Sequence, residues 1–226
     1  MTQTALIDVN AASMNPIPRP ALALWGRGSV HAIPAAGGRW VVRAYRRGGA
    51  VAGPLLGDRY LGRGSGRPVA ETLASEEARR RGVPTPRVVA GAVYPAGPLF
   101  YRADLVTEFV EGGRELARVL FGAPAGADER GRALAQAGRL LARLAEAGVE
   151  HPDLNARNVL LTPGSQEGAL VLDLDRSRVG PEGVPLSPAR MLARLERSLE
   201  KLGERAGRAL SSEELDLLRL ASGGGP

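Results

Sequence analysis

The sequence predicts an α+β protein of two lobes, with a sheet-rich first half and a mainly helical second half. Short apolar runs separated by Gly and Pro turns fill residues 22–60 and 88–110, a pattern typical of antiparallel strands. One segment of helical composition, 68–81, lies between them. Beyond residue 111, apolar residues recur at intervals of three and four, as on the buried face of a helix.

The chain divides into three predicted segments. Residues 1–20 are rich in Ser, Asn and Pro, a composition that favours a flexible leader. Residues 21–110 form the sheet-rich lobe, which begins with an antiparallel meander, and the Gly112-Gly113 pair breaks the chain at its end. Residues 111–226 form the helical lobe.

Individual elements follow from local signals. Segment 68–81 ends at Gly82, a C-cap residue with prolines soon after it. In the strand at 40–45, the alternation of a pleated strand places Arg43 and Tyr45 on one face. The predicted elements of the second half are a short turn at 115–120, a long helix at 128–147, a β-hairpin at 159–161 and 169–174, and helices at 187–202 and 211–220.

The composition excludes several kinds of site. The chain has no cysteine, so neither disulfides nor thiolate catalysis is available, and two histidines, His31 and His151, leave little for zinc. Any metal is therefore expected to be bound by oxygen. No apolar stretch approaches the ~20 residues of a membrane-spanning helix, and the N-terminal sequence has no secretory pattern. We expect a cytoplasmic protein that does not span a membrane.

The charge of the chain favours anionic partners. All 30 Lys and Arg residues except Lys201 are arginine, the net charge is +6 and the pI is about 10.6. Aromatic residues make up only 4% of the chain, which is little for a base-stacking surface. Phosphorylated metabolites and anionic lipids therefore fit at least as well as nucleic acid.

The polar segment HPDLNARN follows the H-x-D-x4-N spacing of phosphotransfer sites. In such sites the Asp, here Asp153, orients the attacking hydroxyl and accepts its proton, and the Asn, here Asn158, binds magnesium. Further along, an apolar strand ends in Asp173-Leu174-Asp175, where a protein kinase has D-F-G and its metal-binding Asp. Each signal alone is weak, but together, in this order, they favour phosphotransfer.

A kinase also requires three groups in the first half. These are a Gly-rich turn over the phosphates, a cation on the third strand and an acid on the next helix. Gly26 and Gly28 supply the turn, Arg43 lies on the strand and Glu71 on the helix. Protein kinases use lysine on that strand, but arginine can also bind phosphate and pair with a carboxylate.

The segment after Asp175 is too short for a peptide substrate platform. Residues 176–186 are all that separates it from the next helix, and no A-P-E sequence occurs. We therefore expect a small-molecule, sugar or lipid-linked acceptor.

Six stretches between about residues 26 and 202 carry a resemblance to a known family: WVVRAYRRGG at 40–49, DRYL at 58–61, FYRADLVTE at 100–108, HPDLNARNVLL at 151–161, VLDLDRSR at 171–178 and RLERSLEKL at 194–202. Through them the sequence resembles the 3-deoxy-D-manno-octulosonic acid (Kdo) kinases. These are relatives of the lipopolysaccharide core heptose kinases and have a protein-kinase-like fold. In this family the strand cation is likewise arginine.

The resemblance implies an activity and a location. The family uses ATP and Mg²⁺ to phosphorylate the 4-hydroxyl of Kdo on a lipid A precursor, as peripheral proteins at the cytoplasmic face of the bacterial inner membrane. The expected partners are ATP, the Kdo-linked lipid and an anionic membrane surface. Neither nucleic acid nor an obligate protein partner is expected.

The resemblance also implies roles for individual residues. Asp153 is the catalytic base, and Asn158 and Asp173 bind Mg²⁺. Arg43 contacts the ATP phosphates and pairs with Glu71.

Other roles are less closely defined. Glu108 opens the connector that holds ATP between the lobes. His151 either anchors the loop backbone or takes part directly in catalysis. Asp175 either holds a neighbouring arginine, Arg157 or Arg176, or assists the metal. Several arginines form either a site for the Kdo carboxylate and lipid A phosphates or a solvated basic face: Arg46, Arg47, Arg59, Arg63 and Arg67.

Three alternatives stay open at the level of sequence. One is a heptose kinase or another sugar or antibiotic phosphotransferase with a similar fold. Another is a basic nucleic-acid-binding module, whose binding would depend steeply on salt and not on Asp153. The last is a scaffold that binds ATP without turnover.

Overall fold

The computed structural model describes residues 5–8, 30–35, 38–45, 59–61, 66–122, 125–162 and 168–223. The chain divides into two compact units: unit 1 is Met1–Leu73 with Arg87–Phe109, and unit 2 is Ala74–Pro86 with Val110–Pro226.

Unit 1 contains a six-stranded sheet. Along the sheet the order is β1-β5-β6-β3-β2, with β4 beside β6. The strands are β1 (Ala5–Asp8), β2 (Val30–Ala35), β3 (Gly38–Ala44), β4 (Tyr60–Leu61), β5 (Val88–Pro95) and β6 (Phe100–Glu108). The antiparallel pairing of β2 with β3 and of β5 with β6 agrees with the strands expected from sequence.

The core of unit 1 follows from alternation along β6. Tyr101, Ala103 and Leu105 are buried, whereas Arg102 between them is exposed. These buried side chains pack with Tyr45 and with further residues of neighbouring strands, Tyr60 and Val88. Because β3 pairs with β6, this packing fixes the position of the strand that carries Arg43.

One strand lies in the segment expected to be a flexible leader. Strand β1 pairs in parallel with β5, with Ala5 opposite Ala90, so the sheet is not wholly antiparallel. The strand contains the short apolar run Ala5-Leu6-Ile7, whereas Pro, Asn and Ser are frequent over residues 1–20 as a whole.

Helix α1 (Gly66–Arg80) joins β4 to β5 and ends as predicted. Gly82 has a φ of +81°, its N–H donates to the Arg79 carbonyl, and the Val83 N–H donates to the Ala78 carbonyl. This Schellman arrangement satisfies the last carbonyls of the helix and requires a left-handed residue, which glycine supplies without a steric penalty.

Unit 2 is mainly helical. Its helices are α2 (Leu116–Phe121), α3 (Ala127–Glu146), α4 (Ala189–Ala206) and α5 (Ser212–Ala221), and its strands are β7 (Arg114–Glu115), β8 (Val149–Glu150), β9 (Val159–Leu161), β10 (Ala169–Val171) and β11 (Arg178–Val179). Strands β9 and β10 form the predicted hairpin, and β8 pairs with β11. The catalytic-loop candidate, residues 151–158, therefore runs between two short paired strands.

The predicted apolar stripe of α3 is the centre of the unit 2 core. Leu134, Ala137, Leu141 and Leu144 have no exposed surface. They recur at intervals of three and four, so they occupy one face of the helix. The packing of this face gives the strands and loops around the catalytic-loop candidate a rigid support.

The last two helices differ in how well their ends were predicted. Helix α5 begins with the predicted capping box, in which Ser211 Oγ accepts from the Glu214 N–H at 3.2 Å and Glu214 Oε2 accepts from the Ser211 N–H at 3.0 Å. The prediction that the preceding helix ends near residue 202 is wrong. Helix α4 includes the buried Gly203 and continues to Ala206, and the residue that turns left-handed is Gly207, with a φ of +62°.

A buried cation ties α3 to α5. The Arg130 side chain is 5% exposed, its Nε donates to Glu214 Oε1 at 2.5 Å, and its Nη1 donates to the Leu120 carbonyl at 2.6 Å. The hydrogen bond from Arg130 holds the pKa of Glu214 below its usual range. Glu214 is therefore both a cap and an ion-pair partner.

Gly138 marks the closest approach of α3 and α5. A Cβ at this position would lie 2.5 Å from the Leu218 carbonyl oxygen and 2.6 Å from Ala221 Cβ. We expect Gly138→Ala to lower the free energy of unfolding by about 1–3 kcal/mol, because backbone has to move to admit one methyl group. Gly131→Ala is the matched control in the same helix, since its Cβ would meet only the end of the Leu217 side chain. Denaturant unfolding measures both, and equal effects would contradict the close approach.

Candidate active site

The loop at 151–158 is fixed by buried apolar residues and by short-range hydrogen bonds. Leu154 and Ala156 are buried, and the Ala156 carbonyl accepts from the Ala117 N–H at 2.9 Å. Asn155 Oδ1 accepts from the Arg157 N–H at 3.0 Å, a turn that Asn favours. The loop is thus anchored through residues 154–157, and the side chain of Asp153, directly before them, is 60% exposed.

His151 links this loop to the segment that precedes Asp173. Its Nδ1 accepts from the Asp153 N–H at 3.2 Å, so Nε2 carries the proton and donates to the Leu172 carbonyl at 3.2 Å. The ring is buried, and burial lowers the pKa of His151 below its usual value. Both ring nitrogens of His151 bind backbone atoms, so the ring orients the loop. Neither nitrogen is available to a substrate.

Asn158 and Asp173 come together through the backbone. The Leu172 N–H donates to the Asn158 carbonyl at 2.8 Å, which places Leu172 beside Asn158 and makes Asp173 the next residue along the chain. The Asn158 Nδ2 donates to the Asp153 carbonyl at 3.3 Å, so the amide turns its Oδ1 to the opposite side. The backbone of Asn158 therefore lies beside the segment that carries Asp173.

Asp173 has an uncommon backbone conformation. Its φ is +60°, in the left-handed region that Asp and Asn tolerate better than other non-glycine residues. Arg176 also has a positive φ, +64°, so the chain turns sharply on both sides of Leu174. Leu174 is buried, and this anchor separates Asp173 from Asp175. Such local strain is concentrated at functional sites in proteins.

The oxygen donors fit a magnesium ion. In the described part of the chain, no group of three or more His, Cys, Asp or Glu side chains could hold a metal. Mg²⁺ commonly binds through one or two carboxylates together with substrate phosphates, so it needs no cage made only of protein. Asp173 and Asn158 have the hard oxygen atoms for this mode of binding.

Asp153 has a partner that the sequence interpretation did not assign. Arg194 Nη1, on α4, donates to Asp153 Oδ1 at 3.1 Å. Arg194 begins the stretch RLERSLEKL, which contributed to the family resemblance without a role for any of its residues. The stretch itself was therefore the available signal, but it does not show which side chain faces the loop.

Unit 1 contains the expected ion pair. Arg43 Nη2 donates to Glu71 Oε1, and the Glu71 side chain is 3% exposed against 26% for Arg43. Tyr45, which the sequence interpretation placed on the face of Arg43 without a role, donates its hydroxyl to Glu71 Oε2. The Arg43 guanidinium also lies 4.9 Å from the centre of the Tyr45 ring. The buried Glu71 carboxylate therefore holds the side chains of both Arg43 and Tyr45 in position.

Glu108 ends β6 and is bound to Arg87. Arg87 Nη2 and Nε donate to Glu108 Oε1 at 2.6 and 2.8 Å, and the Glu108 N–H donates to the Arg87 carbonyl at 3.0 Å. Its carboxylate is thus engaged within unit 1, and a contact with nucleotide stays a prediction. Five other predicted site residues lie outside the described residues: Gly26, Gly28, Arg46, Arg47 and Arg63.

Comparison with known proteins agrees with these observations. The family model described as "Lipopolysaccharide kinase (Kdo/WaaP) family" matches residues 25–221. The chain belongs to this family. The resemblance noted in the sequence is therefore confirmed, and with it the enzyme class, a kinase.

Curated relatives in the family have specific names. A 3-deoxy-D-manno-octulosonic acid kinase of Xanthomonas oryzae pv. oryzae (strain PXO99A) is 40% identical over 190 residues, 80% of this chain and 70% of that protein. The kinase of the same name from Stenotrophomonas maltophilia (strain K279a) is 40% identical over 203 residues, 86% of this chain and 74% of that protein.

A solved structure supports the fold class. The structure "WaaP in complex with acyl carrier protein" matches with a TM-score of 0.56 and 18% identity, over 88% of this chain and 76% of that chain. At this identity the likeness concerns the fold alone. The predicted α+β, protein-kinase-like class is confirmed, with the sheet and one helix early in the chain and the helical region after it.

Proposed function

We propose that the protein transfers the γ-phosphoryl group of ATP to the 4-hydroxyl of Kdo on a lipid A precursor. The observation that carries this proposal is the unit 2 loop, in which the Asp153 side chain is exposed and the Asp153 carbonyl accepts from Asn158 Nδ2. The Asn158 carbonyl in turn accepts from the N–H of Leu172, the residue before Asp173. The names of the relatives at about 40% identity support the choice of acceptor.

Asp153 aligns the acceptor and takes its proton. The acceptor hydroxyl donates a hydrogen bond to the exposed carboxylate, and its oxygen attacks the γ-phosphorus. The new O–P bond forms as the bond to the ADP oxygen breaks, and the hydroxyl proton passes to Asp153. His151 fixes the direction of the Asp153 backbone through the N–H bond to Nδ1.

Asn158 and Asp173 would hold the magnesium ion. When bound, the ion neutralises negative charge on the phosphate oxygens. The protein's own contribution is the bond between the Leu172 N–H and the Asn158 carbonyl, which holds the segment that carries Asp173 beside Asn158.

Arg43 would bind the nucleotide phosphates. A guanidinium can donate to two phosphate oxygens at once, which compensates for the absence of a lysine at this position. Glu71 and Tyr45 hold the guanidinium in one orientation, so little side-chain freedom is lost on binding.

We place the reaction at the cytoplasmic face of the inner membrane, with peripheral association. In the described part of the chain no helix has the length and apolar character needed to cross a bilayer. The lipid nature of the proposed acceptor and the net charge of +6 support attraction to an anionic surface.

Transfer of labelled γ-phosphate from ATP·Mg²⁺ to Kdo-lipid IVA tests the proposal. Free Kdo, a heptose-containing lipopolysaccharide core and an aminoglycoside are offered as competing acceptors. We expect label in the Kdo lipid and, after partial hydrolysis, at O4 of Kdo. Transfer to another acceptor would assign a different phosphotransferase, and ATP binding without transfer to any acceptor would indicate a scaffold.

A further inference from the structure

Arg194 occupies a position that its contribution to folding does not explain. Helix α4 is anchored by Met191, Leu195 and Leu199 on its buried face, whereas the Arg194 side chain is 48% exposed. An ion pair between two half-exposed side chains adds little to stability. Yet this pair is made with Asp153, the group that the proposed reaction uses as its base.

Most of the hydrogen-bonding capacity of Arg194 is unused in the pair. A guanidinium has five N–H donors, and one of them, on Nη1, binds Asp153 Oδ1. Among the residues that the structure describes, Arg194 has no other hydrogen-bond or ion-pair partner. The remaining donors can therefore bind a second planar anion beside Asp153.

The proposed acceptor brings such an anion. Kdo is a sugar acid whose carboxylate carbon is bonded to C2 of the ring, and the reacting hydroxyl is on C4. When that hydroxyl reaches Asp153, the acceptor carboxylate lies within one sugar ring of a second negative charge. Two carboxylates at this separation repel each other unless a cation lies between them.

We infer that Arg194 binds the carboxylate of the sugar-acid acceptor and thereby selects a hydroxy acid over a neutral sugar. This inference rests on the proposed function. The guanidinium bridges two carboxylates, that of Asp153 and that of the acceptor, which orients the acceptor hydroxyl toward the base. Arg46 and Arg47, predicted as carboxylate-binding candidates from sequence, are then left for the lipid phosphates.

The test compares two acceptors in mixed detergent micelles, Kdo-lipid IVA and its carboxyl methyl ester, at saturating ATP·Mg²⁺. With the unmodified protein, we expect the KM for the ester to exceed that for the acid by about 10- to 100-fold, the effect of losing a hydrogen bond between charged groups. Arg194→Gln should raise the KM for the acid by a similar factor and change the KM for the ester less than about 3-fold. The KM for ATP should not change.

Two further variants control the comparison. Arg194→Lys keeps the charge but not the planar fork, so it should recover part of the preference for the acid. Arg205→Gln removes an exposed arginine from the last turn of the same helix and should leave all the constants unchanged. Because the Asp153–Arg194 pair is exposed, Arg194→Gln should shift Tm by no more than about 3 °C.

Several results would overturn the inference. Equal increases in KM for acid and ester would mean that Arg194 acts only through Asp153, and an increase in the KM for ATP alone would assign it to the nucleotide phosphates. Unchanged constants would remove any role in binding. If the unmodified protein phosphorylates neither acceptor, the proposed function fails and the inference fails with it. This result is distinguishable from a failure of the inference alone, because it is seen in the unmodified protein.

Discussion

Asp153→Asn should lower the turnover number by about 10²- to 10⁴-fold, the contribution of a positioned general base. Asparagine has nearly the same shape as aspartate and can still accept a hydrogen bond from the acceptor hydroxyl, but it cannot take the proton. We therefore expect kcat to fall much more than the KM for either substrate changes. Steady-state transfer of labelled phosphate to Kdo-lipid IVA measures both constants.

The chain offers a matched control for this variant. Asp216, on α5, is 59% exposed and accepts from Arg219 Nη1 at 3.2 Å, which closely parallels the 60% exposure of Asp153 and its 3.1 Å bond from Arg194. Asp216→Asn removes the same charge from an equivalent ion pair far from the catalytic loop in sequence. Both variants should have an unfolding free energy within about 1 kcal/mol of that of the unmodified protein, because an exposed ion pair contributes no more than this to stability. Full activity of folded Asp153→Asn protein would exclude Asp153 as the base.

The loop at 151–158, the catalytic-loop candidate, could be recognised from sequence because much of its structure is local. Several of the hydrogen bonds that shape it join residues at most five apart, such as Asn158 Nδ2 to the Asp153 carbonyl, although the distant Ala117 N–H also binds the Ala156 carbonyl. A spacing such as H-x-D-x4-N therefore encodes much of the geometry by itself. The bond from His151 to Leu172 spans 21 residues, but the hairpin in between is short and was itself predicted.

Contacts between residues that are distant in sequence could be predicted only where a known order of motifs relates the two elements. The pairing of Arg43 with Glu71 spans 28 residues and followed from the order of strand and helix in kinases. Strand alternation places Tyr45 on the same face as Arg43. The sequence does not indicate that the Tyr45 hydroxyl donates to Glu71. The Asp153–Arg194 pair spans 41 residues, and it depends on how far α4 is rotated about its axis, which its buried apolar face sets.

Asp173→Asn should reduce activity by at least about 10²-fold and raise the Mg²⁺ concentration needed for half-maximal rate by at least about 10-fold, because weakening the support of a metal site already costs this much. The substitution removes the negative charge and changes the shape of the side chain very little. Asn tolerates the left-handed backbone at this position, with a φ of +60°, as well as Asp does, so the turn around the buried Leu174 should survive. Mg²⁺ titrations of the transfer reaction, with unfolding measured alongside, test both expectations.

The same titration decides the role of Asp175, which the sequence left open. Asp175 lies on the other side of Leu174, in the turn closed by the bond from the Ser177 N–H to the Leu174 carbonyl at 3.0 Å. If it assists the metal, Asp175→Asn should raise the Mg²⁺ requirement in the same direction as Asp173→Asn. If it holds Arg157 or Arg176 instead, the Mg²⁺ requirement should stay constant while the rate falls.

An unchanged Mg²⁺ requirement in folded Asp173→Asn would contradict the assignment of Asp173 as a ligand, since loss of the negative oxygen must weaken the binding of a hard cation.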